Sequence, residues 1–259
     1  MLKKLIKIAL LFPLQILHSA FKLYDTILSK IFPQLKGVGR QQLINHIDSD
    51  VQLTKHGSAS FKLYTPNQIC NLRHSTFSTK EPEMLEWLEE YGGGVFFAIG
   101  ANIGIYSLFY SQVKQGNIYS FEPSVFNLRQ LAKNVSINKL SERITIISNP
   151  LSECTGIAKF INGGADEGGA LSAFGVEYGY DGEPMISDIN YSVLGFSLDD
   201  MFEKNVLTEK PSLIKIDVDG IEHLILKGAT KTLKSKELKS LFIEVNDEFK
   251  EQAHQVKDI

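Results

Sequence analysis

The chain has 259 residues, enough for one large α/β domain with an appendage. With 43% hydrophobic and 22% charged residues, 20 Gly and 8 Pro, it is not a disordered, collagen-like or low-complexity chain. Its 27 basic and 30 acidic residues leave a net charge of −3, so no global positive field draws a nucleic acid. Cys70 and Cys154 show no CxxC or Cys/His spacing, which excludes a disulfide scaffold and a structural zinc site and points to a reducing compartment.

In the first 32 residues, Lys3, Lys4 and Lys7 precede an apolar run from Ile8 to Leu17, broken by Pro13 and Gln15. About ten residues fall short of the ~20 that span a bilayer. The basic start, apolar centre and Ser19-Ala20 also fit a cleavable leader. Past Ala20, however, Phe21, Leu23, Tyr24, Ile27, Leu28, Ile31 and Phe32 continue a helical stripe between Lys22 and Lys30. That pattern favours an interfacial or docking helix, with a helix packed on its own domain or on a dimer partner as the equal alternative.

Residues 51–64 alternate around His56-Gly57-Ser58 and predict a β-hairpin. Pro82, then Met84, Leu85 and Leu88 on one face, then Gly92 to Gly94 predict a helix over 82–91. From there strands at 95–100, 117–123, 143–148, 212–217 and 240–245 alternate with helices at 105–113, 124–134 and about 221–233. This alternation predicts a doubly wound α/β fold with a mostly parallel sheet. The Gly-rich stretch 156–200 is too long for a plain connection and reads as a lid, a binding loop or a disordered insertion. The domain reading is a helical and hairpin extension over 1–80 and a sheet domain over 81–259 that carries this insertion.

Ligands of open parallel sheets sit beyond the carboxyl ends of the strands, where the strand order reverses. The first such turn is Gly100-Ala101-Asn102-Ile103-Gly104, and Glu122 ends the second strand 22 residues after Gly100, suited to a ribose diol. This predicts a nucleoside site. A dinucleotide fingerprint needs glycine where Asn102 stands, so an NAD-dependent oxidoreductase is the runner-up.

The segments GANIGIYSLF, SFEPSVFNLRQLAKNVSIN, SLDDM, IKIDVDGIEHLILKGA and FIEVND, in that order, resemble the FkbM-type family of S-adenosylmethionine-dependent methyltransferases over roughly residues 81–247. The resemblance implies a class I methyltransferase (Rossmann-like) fold and S-adenosylmethionine as methyl donor. It also implies O-methylation of a hydroxyl on a glycan or related natural product. By the same resemblance Gly100, Asn102 and Gly104, with Ala101 between them, match the loop under the donor's methionine part. Glu122 matches the ribose-binding acid and Asp217 the acid that closes the fourth strand beside the methyl.

An attacking hydroxyl needs in-line positioning and a proton acceptor. Asp217 is the first choice and His223 the second, in a cluster with Asp219 and Glu222; helix capping is the alternative for Asp217 and Asp219. Glu244 can contact substrate or, with Asp217, offer oxygens to a hard metal, but acids without fixed spacing usually bind none and no metal is expected. Arg73, His74 and Glu81 lie in a segment able to fold over donor or acceptor, and Glu81 is counted with the donor site.

Two departures from the family pattern keep open a degenerate, non-catalytic nucleoside-binding relative. Ala98 stands where an acid usually supports the donor's amino group, and only 13 residues follow Asn246, too few for a helix and two strands. Either the sheet is therefore expected to stop at SLFIEV, with an exposed apolar edge, or the chain is truncated. The expected partner is a glycan or lipid-linked glycan acceptor, with no nucleic acid. The expected location is cytoplasmic, with residues 1–32 in peripheral contact with the inner membrane face.

Overall fold

The computed structural model describes residues 2–259, except for the side chains of residues 2–11 and Glu251. The side chains of Lys3, Lys4, Lys7, Leu5, Ile6, Ile8 and Leu11, which begin the N-terminal stripe, thus lie outside the described ones. The chain forms two compact units that meet in sequence at Asp50 and Val51.

In the first unit a long helix, α1 (Leu2–Ile31), runs through Pro13. A short 3-10 turn (Pro33–Leu35) then leads into α2 (Val38–Ile47). Asp25 pins this reversal: its carboxylate accepts the Gly37 N–H at 3.3 Å and lies 3.6 Å from the Arg40 guanidinium. Among the described residues no helix is long and apolar enough to cross a membrane.

The second unit opens with the antiparallel hairpin β1 (Val51–His56) and β2 (Ala59–Tyr64), then α3 (Gln68–Lys80) and α4 (Pro82–Tyr91). Asn67 starts α3 by accepting the Cys70 N–H at 2.8 Å. The alternation then follows as β3 (Phe96–Ile99), α5 (Ile105–Val113), β4 (Ile118–Phe121), α6 (Val125–Ile137) and β5 (Ile144–Ile147). An insertion holds β6 (Gly156–Ile161), β7 (Ala173–Phe174) and β8 (Asn190–Gly195), and α7 (Leu198–Glu203) leads back to the sheet. The chain closes with β9 (Leu213–Ile216), α8 (Glu222–Lys227), α9 (Thr230–Leu233), β10 (Ser240–Ile243) and α10 (Lys250–Asp258).

The five central strands are all parallel, in the order β5-β4-β3-β9-β10. Counted along the sheet this is third, second, first, fourth, fifth: the doubly wound, Rossmann-like order, whose reversal falls between β3 and β9. Every residue of β3 and β9 is buried, as strands covered on both faces require. Phe96 and Ala98 face a layer that contains Phe61, Leu63, Leu88 and Phe109, while Phe97 and Ile99 face Met201, Ile221 and Ile225.

Four differences from the sequence expectations have physical causes. Phe61 and Leu63 are fully enclosed, with Phe61 and Phe77 stacked edge to face at 5.3 Å, so the hairpin belongs to the sheet unit. The stretch 156–200 is a three-stranded antiparallel sheet, β7-β6-β8, instead of a loop or a disordered segment. The helix over 221–233 breaks into two at Gly228-Ala229. Among the described residues the sheet does end at β10, yet that strand is half-buried: Phe242 lies 5.5 Å from the Trp87 ring, and Trp87 Nε1 donates to Ser240 Oγ at 2.8 Å.

Candidate functional site

The turn from β3 into α5 is held against both neighbouring strands. Gly100 has φ +77°, and a Cβ there would come within 1.8 Å of the Asp217 carbonyl oxygen, so only glycine lets the loop pass the end of β9. The N–H groups of Gly100 and Ala101 both donate to Phe121 O, at 3.0 and 2.9 Å. Asn102, also left-handed at φ +52°, donates its N–H to a Glu122 oxygen at 2.7 Å.

Glu122 closes this end. It is 4% exposed, and its other oxygen accepts the Ser124 N–H at 2.9 Å. Burial pushes its pKa up to about 7, against the opposing pull of the hydrogen bonds from Ser124 and Asn102.

The ends of β9 and β10 carry a second group of charges. Buried Lys215 sits 2.6 Å from Asp217, and Asp217 is hydrogen-bonded to Glu244. Burial opposes ionisation of Asp217, but the Lys215 ammonium and the bond from Glu244 outweigh it and hold the carboxyl well below the usual range. The partner moves the other way: its bond to Asp217, then partial desolvation, pushes Glu244 up to about 8. Two carboxyls therefore share one proton beside a lysine.

The junction of α3 with α4 and the first turn of α5 add a third group. Tyr106 Oη donates to Glu81 at 2.5 Å, Lys80 reaches the other Glu81 oxygen at 2.6 Å, and the Lys215 ammonium lies 5.2 Å from the centre of the Tyr106 ring. Burial disfavours the Glu81 anion, yet the bonds from Lys80 and Tyr106 hold its pKa below the usual value.

Over these groups passes the tip of the insertion. Gly169 O accepts from Asn102 Nδ2 at 2.7 Å and Asn127 Nδ2 at 3.1 Å, Gly168 O accepts from Arg73 Nε at 2.7 Å, and Asp219 accepts the Leu171 N–H at 2.7 Å. Beneath it lies a cleft of about 190 Å³, bounded on its apolar side by Phe121, Leu151, Phe160 and Phe174.

Of the residues singled out in the sequence, Gly100, Ala101, Asn102, Glu122, Glu81, Asp217 and Glu244 all line this cleft. Gly104 does not: it opens α5 at φ +87°, where a Cβ would meet the Leu131 side chain at 2.4 Å. His223 is buried on α8 and is not part of the cleft wall. Glu222 turns away to accept the N–H groups of Val218 and Gly220, at 2.9 and 3.1 Å, with the Gln252 amide of α10 as a further donor. It thereby fixes the loop that carries Asp217 and Asp219. Ala98 is also buried off the wall, as the cross-strand neighbour of Lys215, so an acid there would meet Lys215 beneath the cleft. Sequence reasoning missed Lys215 and Tyr106. A lysine inside the apolar run SLIKID was the available signal for the first, since a cation in a doubly covered strand needs a partner. Among the described residues no group of three or more His, Cys, Asp or Glu side chains is arranged to hold a metal ion.

The pattern of the family described as the methyltransferase FkbM domain matches residues 98–259, more than half of the chain. Among solved structures, the chain is similar to the C-terminal domain of precorrin-6Y C5,15-methyltransferase from Rhodobacter capsulatus, with 23% identity over 28% of this chain and 40% of that one and a TM-score of 0.25. It is also similar to precorrin-6y C5,15-methyltransferase from Geobacter metallireducens GS-15, with 15% identity over 69% of each chain and a TM-score of 0.41. The chain thus spans less than half the length of the first of these structures. No curated protein matches it.

Proposed function

Since the chain belongs to the FkbM family of methyltransferases, we propose that it moves a methyl group from S-adenosylmethionine to a hydroxyl of a glycan or related natural-product acceptor. The observation that carries this reading is the pairing within one cleft of a buried acid at the end of β4, Glu122, with a proton-sharing acid pair at the ends of β9 and β10, Asp217 and Glu244. The family membership sets aside the NAD-dependent reading, as does the Asn102 side chain where a pyrophosphate would need bare backbone.

The residues fit the donor. The Gly100-Ala101-Asn102 loop forms part of the cleft wall, Glu122 presents a carboxylate to the vicinal hydroxyls of a ribose, and Phe121, Leu151 and Phe160 give an apolar wall for a base. When bound, the donor supplies an electrophilic methyl on sulfur. The chain does the rest. The tip of the insertion, tied down by Arg73, Asn102 and Asn127, excludes water. Asp217, kept ionised by Lys215, accepts a hydrogen bond from the acceptor hydroxyl and orients it, and Glu244, once it has lost the shared proton, takes up the hydroxyl proton.

Calorimetric titration with S-adenosylhomocysteine and with NAD tests the donor site: the homocysteine nucleoside should bind more tightly, and equal or tighter NAD binding overturns the reading. Mass spectrometry of a glycan pool incubated with enzyme and donor tests the transfer, through a gain of one methyl group on oxygen. Tight nucleoside binding with no methylated product would instead favour a relative that binds the donor without turnover.

A further inference from the structure

We infer that the first unit, α1 with α2, is a docking surface for an anionic lipid membrane. The inference does not depend on the methyltransferase reading. In an ordinary folded unit apolar side chains turn inward, but here the pattern is inverted. Among the described residues up to Asp50 the one buried residue is an acid, Asp25, while fourteen large apolar side chains are 37–64% exposed. Contiguous apolar surface on this scale marks a site of association.

The exposed residues are ordered. At 3.6 residues per turn Phe12, Ile16, Leu23 and Ile27 fall on one stripe of α1, with Tyr24 and Ile31 beside it, while Gln15, His18, Lys22 and Ser29 occupy the opposite arc. Such a helix lies in an interface with its apolar arc among acyl chains and its polar arc in water, and among the described residues no helix is long and apolar enough to cross.

Charge selects the occupant. Residues 1–50 hold seven basic side chains against three acidic ones, a surplus of four, whereas the remaining residues are acidic by seven. Asp25 is moreover engaged with Arg40 and Gly37. Two copies of so basic an extension repel each other, but an anionic leaflet attracts it, each basic residue near the surface adding about fivefold to partitioning. Anionic lipid therefore answers both the exposed apolar arc and the positive surplus, which a second copy of this chain does not.

The test is co-sedimentation of the full chain with phosphatidylcholine vesicles and with vesicles of about one-third phosphatidylglycerol, at about 0.1 M and about 1 M salt. Binding is expected to the anionic vesicles alone and to weaken at high salt. The double variant Lys22→Glu/Lys30→Glu should lower partitioning at least about 20-fold, and Phe12→Ser/Leu23→Ser about tenfold or more. Titration with S-adenosylhomocysteine on the same variants reads the donor site separately and should not move. Equal binding to neutral vesicles overturns the inference. So does failure to bind either kind, with a concentration-dependent dimer that Leu23→Ser dissociates, which would give the surface to a second copy.

Discussion

Glu122 meets the cleft with a carboxylate whose two oxygens already accept backbone N–H groups from Asn102 and Ser124. Its charge is therefore finely balanced, with a pKa near 7 set by burial against those donors. If ribose hydroxyls donate to it, donor binding should tighten as pH rises from about 6 to about 8 and the anion forms. Glu122→Gln should remove that pH dependence and weaken S-adenosylhomocysteine binding by roughly ten- to hundredfold, read by calorimetry. An unchanged affinity would assign Glu122 to loop support alone. Glu244 is the proton holder of the other pair, and below about pH 8 it keeps the proton that blocks uptake from an acceptor. Methyl transfer at low acceptor concentration should thus rise with pH through a midpoint near 8, and Glu244→Gln should be slow and flat across that range. A flat wild-type profile would place the proton acceptor elsewhere. Asp217→Asn should spare product binding within a few-fold yet remove most transfer, if the proposed role of its carboxylate is to orient the acceptor hydroxyl and not to hold the nucleoside.

Elements differed in how well the sequence revealed them. The parallel strands were legible because VFFAIG, SLIKID and their companions are short, mostly apolar runs between glycines and polar turns, the pattern of strands covered on both faces. By contrast α3 was hidden: among its residues only Cys70 and Phe77 are buried, too few to draw a helical stripe, yet it delivers Arg73 to the insertion tip. The small sheet of the insertion was hidden too, because β7 is two residues long and its partners are separated by glycine-rich turns. Position in the sheet order found the Gly100 loop and Glu122. Nothing local to the sequence could show that Tyr106 on α5 and Glu81 at the α3–α4 junction would meet. Within the insertion tip Leu171 has φ +64°, a conformation costly for a side chain, and it is 46% exposed, so little packing compensates. Leu171→Gly should raise the melting temperature by about 2 °C, from roughly 0.5–1 kcal/mol of relieved strain, while keeping the N–H bond to Asp219. A fall in the melting temperature would show that the leucine side chain holds the tip down.

At the scale of the whole molecule, the half-buried and buried acids of the sheet unit set the pH at which it is most stable. Burial raises the pKa of Asp219 and Glu222 and lifts that of Glu122 to about 7, so above the ordinary carboxylate range the folded chain holds protons that the unfolded chain has released. Their contribution is complete below about 4 and is lost as pH rises through their folded values. Asp217 has the opposite sign: burial is outweighed by Lys215, its folded pKa lies below 3.8, and its contribution is present above that value and lost as pH falls. The two trends meet in mildly acidic solution. Stability should peak near pH 4–5 and decline toward pH 7, with Glu122 alone responsible for a loss on the order of 3 kcal/mol, or about 6–10 °C in melting temperature. Scanning calorimetry of the wild type and Glu122→Gln between pH 4.5 and 8 checks this. The variant starts lower, having exchanged one acceptor oxygen for an amide, but its decline with pH should be shallower by that amount. Parallel curves for the two proteins would mean that Glu122 is no more expensive to ionise in the fold than in the open chain, and its place in the cleft would then have to be far wetter than its burial implies.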